Sequence, residues 1–70
     1  MASVAVHIDR VSNTLTVWFG DPASEYICEE TGKEVILMKD SADDVVGFEK
    51  LNYRVPDSDE VLVTVRPAAA

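Results

Sequence analysis

Apolar and polar residues alternate with a period of two along most of the chain, which is the pattern of β-strands. No segment has the wider apolar spacing of an α-helix, and the intervening segments are rich in Gly, Pro, Asn and Asp, as turns are. The strands that the alternation predicts are Ser3–Asp9, Thr14–Gly20, Glu25–Glu30, Glu34–Asp40, Val45–Leu51 and Glu60–Arg66. Since the connections are short, successive strands are expected to lie side by side and antiparallel, as a meander.

The predicted fold is therefore mainly β, a small antiparallel meander sheet of five to six strands in one domain at residues 1–67, with a loose tail at residues 68–70. An alternative stays open, an α+β fold with one short helix near Leu51 to Asp59, whose length Pro56 would limit. Gly47, inside the fifth predicted strand, indicates a bulge or a close approach of another group to the backbone.

Both faces of the predicted sheet carry apolar side chains. One face is assigned to the core, and its residues include Leu15, Val17, Val35 and Leu37. With no helix to cover the opposite face, the sheet must either curl strongly on itself or pack against a second copy or another protein. A chain of 70 residues leaves little core for the curled solution. Association is therefore favoured, and the predicted interaction residues on the opposite face are Trp18, Ile36 and Met38.

The charge balance narrows the choice of partner. With 13 acidic against 6 basic residues, the formal net charge is −7, which argues against binding to nucleic acid or to an anionic membrane surface. The charge is compatible with a basic protein partner, since opposite potentials steer association. Cys28 is the single cysteine, and neither a basic, apolar leader after Met1 nor a long apolar stretch is present. A cytoplasmic location without a membrane span is therefore expected.

The residues able to do chemistry are isolated from one another. His7 is the only histidine, and Asp9, which shares its strand face, makes at best a loose pair with it. Cys28 precedes Glu29 and Glu30, whose charges favour the protonated thiol, so it is interpreted as a small buried apolar residue. Without a nucleophile–base pair, no enzymatic activity, catalytic residue or cofactor is predicted.

Acidic residues cluster in two predicted loops, Asp40–Asp44 and Asp57–Glu60. Neither cluster has the alternate acidic positions, central Gly and final Glu of a calcium loop, and Asp is also a common turn residue. No metal ligand is therefore assigned. A small-ligand or metal-binding module that uses these acidic loops is kept as the alternative to an interaction module.

Several segments follow one another in an order that is familiar from a known family. These segments are Ile8-Asp9, the strand entry Asn13–Val17, the apolar run Val35–Met38, the acidic turn Asp40–Asp44 and the Val-Val-Gly-Phe-Glu piece at Val45–Glu49. In these features, over roughly Val6 to Leu51, the chain resembles the bacterial domain of unknown function 2283 family. Asp43 stands where the family turn usually has Gly, although Asp tolerates a left-handed backbone. The predicted strand Glu60–Arg66 lies beyond the family core.

The resemblance implies a small β-rich domain and carries over no catalytic residue, because the family has no established activity. It also implies, from the likeness of some members, the role of the small acidic partner in a toxin–antitoxin-like pair. Together with the residue pattern, this gives the leading hypothesis. The chain is interpreted as a cytoplasmic protein-interaction module that forms a homodimer and presents a sheet face or edge to a basic protein.

Overall fold

The computed structural model describes residues 2–68, and its regular structure is a single five-stranded antiparallel sheet. The strands are β1 (Ala5–Asp9), β2 (Thr14–Trp18), β3 (Ile27–Glu30), β4 (Val35–Lys39) and β5 (Val45–Lys50). A 3-10 turn at Pro22–Ser24 is the one helical piece in the described range. The mainly β antiparallel prediction is confirmed, and each of these five strands is one or two residues shorter at its ends than the alternation suggested.

The meander prediction is wrong for one connection. The order across the sheet is β1-β2-β5-β4-β3, so β2 pairs with β5 and the chain crosses to the far edge before β3. Strands β2 to β5 thus have a Greek-key arrangement. The crossing segment is anchored by main-chain bonds, in which Phe19 N and Gly20 N donate to Val46 O at 3.0 and 2.9 Å and Tyr26 N donates to Lys39 O at 2.7 Å. The 3-10 turn takes the place of the tight turn that a β2–β3 hairpin would need.

Both predictions for the C-terminal part of the chain are wrong. Leu51–Asp59 forms no helix; the chain turns at Asn52, where φ is 56°, and Tyr53 N donates to Asn13 O at 2.8 Å. Glu60–Arg66 forms no strand, because no neighbouring strand in the described chain offers it main-chain partners. Of the predicted tail, residues 69 and 70 lie outside the described residues, as does Met1.

The turn between β4 and β5 explains how Asp43 replaces a glycine. Asp43 has a φ of 68°, in the left-handed region, which Asp tolerates better than most residues. Asp40 stabilises the turn with its side chain, whose Oδ1 accepts from Ala42 N at 2.9 Å and from Asp44 N at 3.0 Å. The expectation that Asp serves here as a left-handed residue is confirmed.

Replacing Asp43 with glycine is expected to raise the free energy of unfolding by about 0.5 kcal/mol, because glycine has no Cβ to clash at this φ. The exposed ion pair between Asp43 and Lys39, 3.4 Å long, is lost at little cost. The matched control Asp43→Ala loses the same pair but keeps a Cβ, and it should lower that free energy by about 1 kcal/mol. Urea unfolding of the three proteins measures both changes; equal stability of the glycine and alanine variants would contradict the left-handed turn.

The sheet is open, and within residues 2–68 no second layer of regular structure is stacked on either face. Each strand packs against its neighbours in the sheet, and the 3-10 turn reaches β5. Within residues 2–68, the only buried apolar side chains are Met38 and Val46. The Cα radius of gyration is 13.5 Å, against about 11 Å for a compact domain of this length. The sheet therefore does not curl into the closed barrel that was one of the two predicted solutions.

Candidate interaction faces

The registers place the predicted interaction residues on one face of the sheet. One row of paired positions across the five strands is Ala5, Trp18, Gly47, Met38 and Cys28. The next row is His7, Thr16, Glu49, Ile36 and Glu30. Paired positions in a sheet project to the same side, so Trp18, Ile36 and Met38 share a face. These two rows are called the tryptophan face below.

A shallow depression of about 190 Å³ lies on the tryptophan face. Its lining residues are Thr16, Trp18, Glu25, Cys28, Ile36, Met38 and Glu49. Met38 is 4% exposed, whereas Trp18 and Ile36 are half-buried. The three predicted residues thus meet in one apolar hollow, and carboxylates that the sequence did not single out, those of Glu25 and Glu49, lie around it.

Gly47 allows Trp18 to lie flat on the sheet. A Cβ atom at position 47 would lie 2.6 Å from the Val17 carbonyl oxygen, and 2.8 Å from Cε3 of the Trp18 indole. The indole therefore packs directly against the β5 backbone, where only glycine leaves room. The register also shifts next to this residue, because Met38 pairs with Gly47 while Lys39 pairs with Val45. The predicted close approach and the predicted bulge are both confirmed.

Cys28 belongs to the wall of the depression. The interpretation of Cys28 as a buried residue is wrong: it is exposed, since β3 is an edge strand. Its Sγ donates to Glu25 Oε2 at 3.1 Å. This hydrogen bond raises the pKa of the Cys28 thiol, and partial burial and the charges of Glu25 and Glu49 raise it further. The thiol is therefore protonated at neutral pH, which suits a wall residue and not a nucleophile.

His7 and Asp9 do not form a catalytic pair. Asp9 Oδ1 accepts from Val11 N at 2.9 Å and from Ser12 N at 3.1 Å. These hydrogen bonds lower the pKa of Asp9, and the bond from Ser12 N has the largest effect. The Asp9 carboxylate thus stabilises the β1–β2 turn. His7 lies across from Thr16 on the tryptophan face.

Charge is distributed unequally between the two faces. In the two rows of the tryptophan face the charged residues are acidic, with Glu30 and Glu49 in the strands and Glu25 at the rim, and Asp9 follows on the same side in the next row. Lys39 and Lys50 belong to the strand rows of the opposite face. There Lys39 pairs with Glu29 at 3.1 Å. The tryptophan face thus combines an aromatic ring with apolar side chains and carries negative charge.

The opposite face is more apolar, and no helix or strand within residues 2–68 lies over it. Two of its rows contain seven apolar residues, all half-buried, which are Val6, Ile8, Leu15, Val17, Val35, Leu37 and Phe48. They are called the aliphatic face. Sequence reasoning assigned part of this face to the core and so missed it as a candidate surface. The signal that could have found it was the lack of any helix long enough to cover it.

The acidic loops have structural roles. Asp40 and Asp43 build the β4–β5 turn, and near the second cluster Arg10 donates to Pro56 O at 2.8 Å and to Asp59 O at 2.7 Å. Among residues 2–68, no three His, Cys, Asp or Glu side chains group so that they could hold a metal ion. Nothing in this geometry favours the metal-binding alternative. In the same range, no helix has the length and apolar character needed to cross a membrane.

One comparison with known proteins gives a match. Residues 5–54 match the family model described as a protein of unknown function, DUF2283. This range contains the whole five-stranded sheet and ends before the exposed C-terminal segment. Neither a curated protein nor a solved structure shows significant similarity to the chain.

Proposed function

This chain belongs to the DUF2283 family of proteins of unknown function, and we propose that it is a non-enzymatic protein-interaction module. It forms a homodimer through the aliphatic face and offers the tryptophan face to a basic protein partner. The antitoxin-like role is the finer form of this proposal, with a basic toxin as the partner. A cytoplasmic location fits the free, exposed thiol of Cys28, which a reducing compartment preserves.

The observation that carries the proposal is the uncovered apolar surface on a sheet that does not close. The solvent-accessible surface is 5610 Å², whereas a compact monomer of this 7.7 kDa mass has about 4,300 Å². The excess of roughly 1,300 Å² is larger than the ~800 Å² that each partner buries in a standard interface. A partner is therefore able to bury area that the chain cannot bury by itself.

A second copy fits the aliphatic face better than it fits the tryptophan face. The centre of the aliphatic face, Val17, Phe48 and Leu37, is uncharged, and Glu29 at the β3 end of the same row is paired with Lys39. Two copies can therefore pack these apolar centres together without burying like charges. Pairing two tryptophan faces would instead bring Glu25 and Glu49 of both copies together, at the cost of desolvating like charges. The homodimer is accordingly assigned to the aliphatic face.

The tryptophan face suits a basic side chain of a different protein. A Lys or Arg could stack on the indole of Trp18 and pair with the carboxylates of Glu25 or Glu49. The apolar floor formed by Ile36 and Met38 would accommodate the methylene stem of that side chain. The net charge of −7 favours encounter with such a partner.

Replacing Trp18 with aspartate is expected to abolish capture of the basic partner and to leave the homodimer intact. The measurement is native mass spectrometry of the tagged protein captured from the cells that produce it naturally. The wild type should show twice the 7.7 kDa chain mass, together with a basic second protein.

The double variant Glu25→Gln/Glu49→Gln keeps the indole in place and should also lose the partner. The control Asp57→Asn, at an exposed position outside the strands, should keep the partner. Unchanged capture by both tryptophan-face variants would refute the assignment of the partner to this face.

A further inference from the structure

The segment from Glu60 to Arg66, called the arm, has the composition of a strand but no strand to pair with. Val61, Val63 and Val65 alternate with Leu62 and Thr64, a β-branched pattern that fits a pleated surface. Leu62 and Val65 are 87% and 92% exposed. No main-chain hydrogen bond joins the arm to the rest of the described chain. Its donors and acceptors are free to pair with a sheet edge.

The base of the arm is held firmly at one end of the sheet. Arg10, which follows the last residue of β1, donates from its guanidinium to Pro56 O at 2.8 Å and to Asp59 O at 2.7 Å. Asp59 N donates to Pro56 O at 2.9 Å, which closes a turn. Because of these hydrogen bonds the arm begins at a fixed position beside β1, unlike a loose tail.

Of the two sheet edges, β1 is the one suited to accept a further strand. The β3 edge ends in Glu29 and Glu30, and charged residues are a common means of keeping an edge unpaired. The β1 edge has the sequence Ala-Val-His-Ile-Asp at Ala5–Asp9, and the carboxylate of Asp9 is bonded within the adjacent turn. Strand β1 and the apolar part of the arm, Val61–Val65, are both five residues long.

We propose that the arm of one chain adds as a strand to the β1 edge of a second copy, and that the exchange is reciprocal. Within a single chain the base of the arm lies beside Arg10, yet no main-chain hydrogen bond joins the arm to its own β1. A register shifted by one residue from full overlap of the two five-residue segments lets the valines of the arm continue the aliphatic face beside Val6 and Ile8. In that register Leu62 and Thr64 lie on the side of His7. The inference rests on the proposed homodimer but concerns an edge, not a face.

Disulfide trapping in full-length chains with Cys28→Ser tests the exchange. A size-tagged His7→Cys chain is mixed with a Leu62→Cys or a Thr64→Cys chain under mild oxidation. With the valines on the Val6 side, either Leu62 or Thr64 lies across from His7, whether the arm runs parallel or antiparallel to β1. One of the two mixtures should therefore give a cross-linked heterodimer in at least tenfold excess over the controls. The controls are Val63→Cys, which points to the other face, and Glu30→Cys on the β3 edge.

The outcomes separate this inference from the proposed homodimer. Equal cross-linking at control positions, or none in a sample that sediments as a dimer, overturns the arm exchange and leaves the face-to-face dimer standing. A monomeric product of the single chain His7→Cys/Thr64→Cys would show pairing within one chain and also overturns it. Val63→Pro, which removes a main-chain donor, should abolish the cross-link and raise the dimer Kd about tenfold, whereas Val63→Thr should change neither.

Discussion

Replacing Gly47 with alanine is expected to lower the free energy of unfolding by about 2 kcal/mol, because the added methyl group overpacks the sheet. Its Cβ would lie 2.6 Å from the Val17 carbonyl oxygen and 2.8 Å from the Trp18 ring. The carbonyl belongs to the paired strand β2 and has no rotamer through which to move away. The chain contains a single tryptophan, so urea unfolding followed by its fluorescence reports both the stability and the displacement of the indole. The protein concentration is held constant, since the proposed dimerisation would contribute to apparent stability.

Gly32→Ala is the matched control for this substitution. Gly32 has a φ of +78° and nothing within 4 Å of a built Cβ. Alanine there should cost about 1 kcal/mol through the backbone alone and leave the native fluorescence of Trp18 unchanged. If Gly47→Ala is instead as stable as the wild type, the indole does not lie on the β5 backbone and the description of the tryptophan face is wrong.

Replacing Phe48 with glutamate is expected to dissociate the homodimer, with at least a hundredfold rise in Kd. Phe48 lies at the centre of the aliphatic face, flanked by Val17 and Leu37 in its row. A carboxylate buried there without a partner would cost roughly 3 kcal/mol or more, and the twofold axis of a dimer brings two such groups close to each other. In the single chain Phe48 is half-buried on one side of a single sheet, outside the buried pair Met38 and Val46, so the monomer should remain folded. Sedimentation equilibrium measures the Kd, and circular dichroism checks the fold.

The control for this prediction is the same kind of substitution on the opposite face. Ile36 is half-buried like Phe48 and pairs with Glu49 in a row of the tryptophan face. Ile36→Glu should leave the dimer intact, and Phe48→Leu should weaken it by less than about tenfold. If Ile36→Glu dissociates the dimer and Phe48→Glu does not, the tryptophan face forms the dimer and the assignment to the aliphatic face is wrong.

The geometry of the candidate site was largely predictable from the sequence, because the side on which a strand residue projects depends on its position parity alone. That rule, together with the assignment of Leu15, Val17, Val35 and Leu37 to one face, placed Trp18, Ile36 and Met38 on the other face before any pairing was known. It did not reveal Glu25, which lies outside the strands and reaches the depression through the long β2–β3 connection. It also gave no indication that Cys28 would be exposed, since the exposure of Cys28 follows from the edge position of β3.

The features that could be read from the sequence alone are local ones. The alternation gave the five strands and their two faces, Gly47 gave a close backbone approach, and Asp43 gave a left-handed turn position, because each depends on neighbouring residues and on Cβ sterics. The three-dimensional structure was needed to show that β2 pairs with β5, that the sheet stays open, and that Glu60–Arg66 pairs with no edge within residues 2–68. These outcomes depend on main-chain hydrogen bonds between distant segments, and a strand exists only where another strand accepts those bonds.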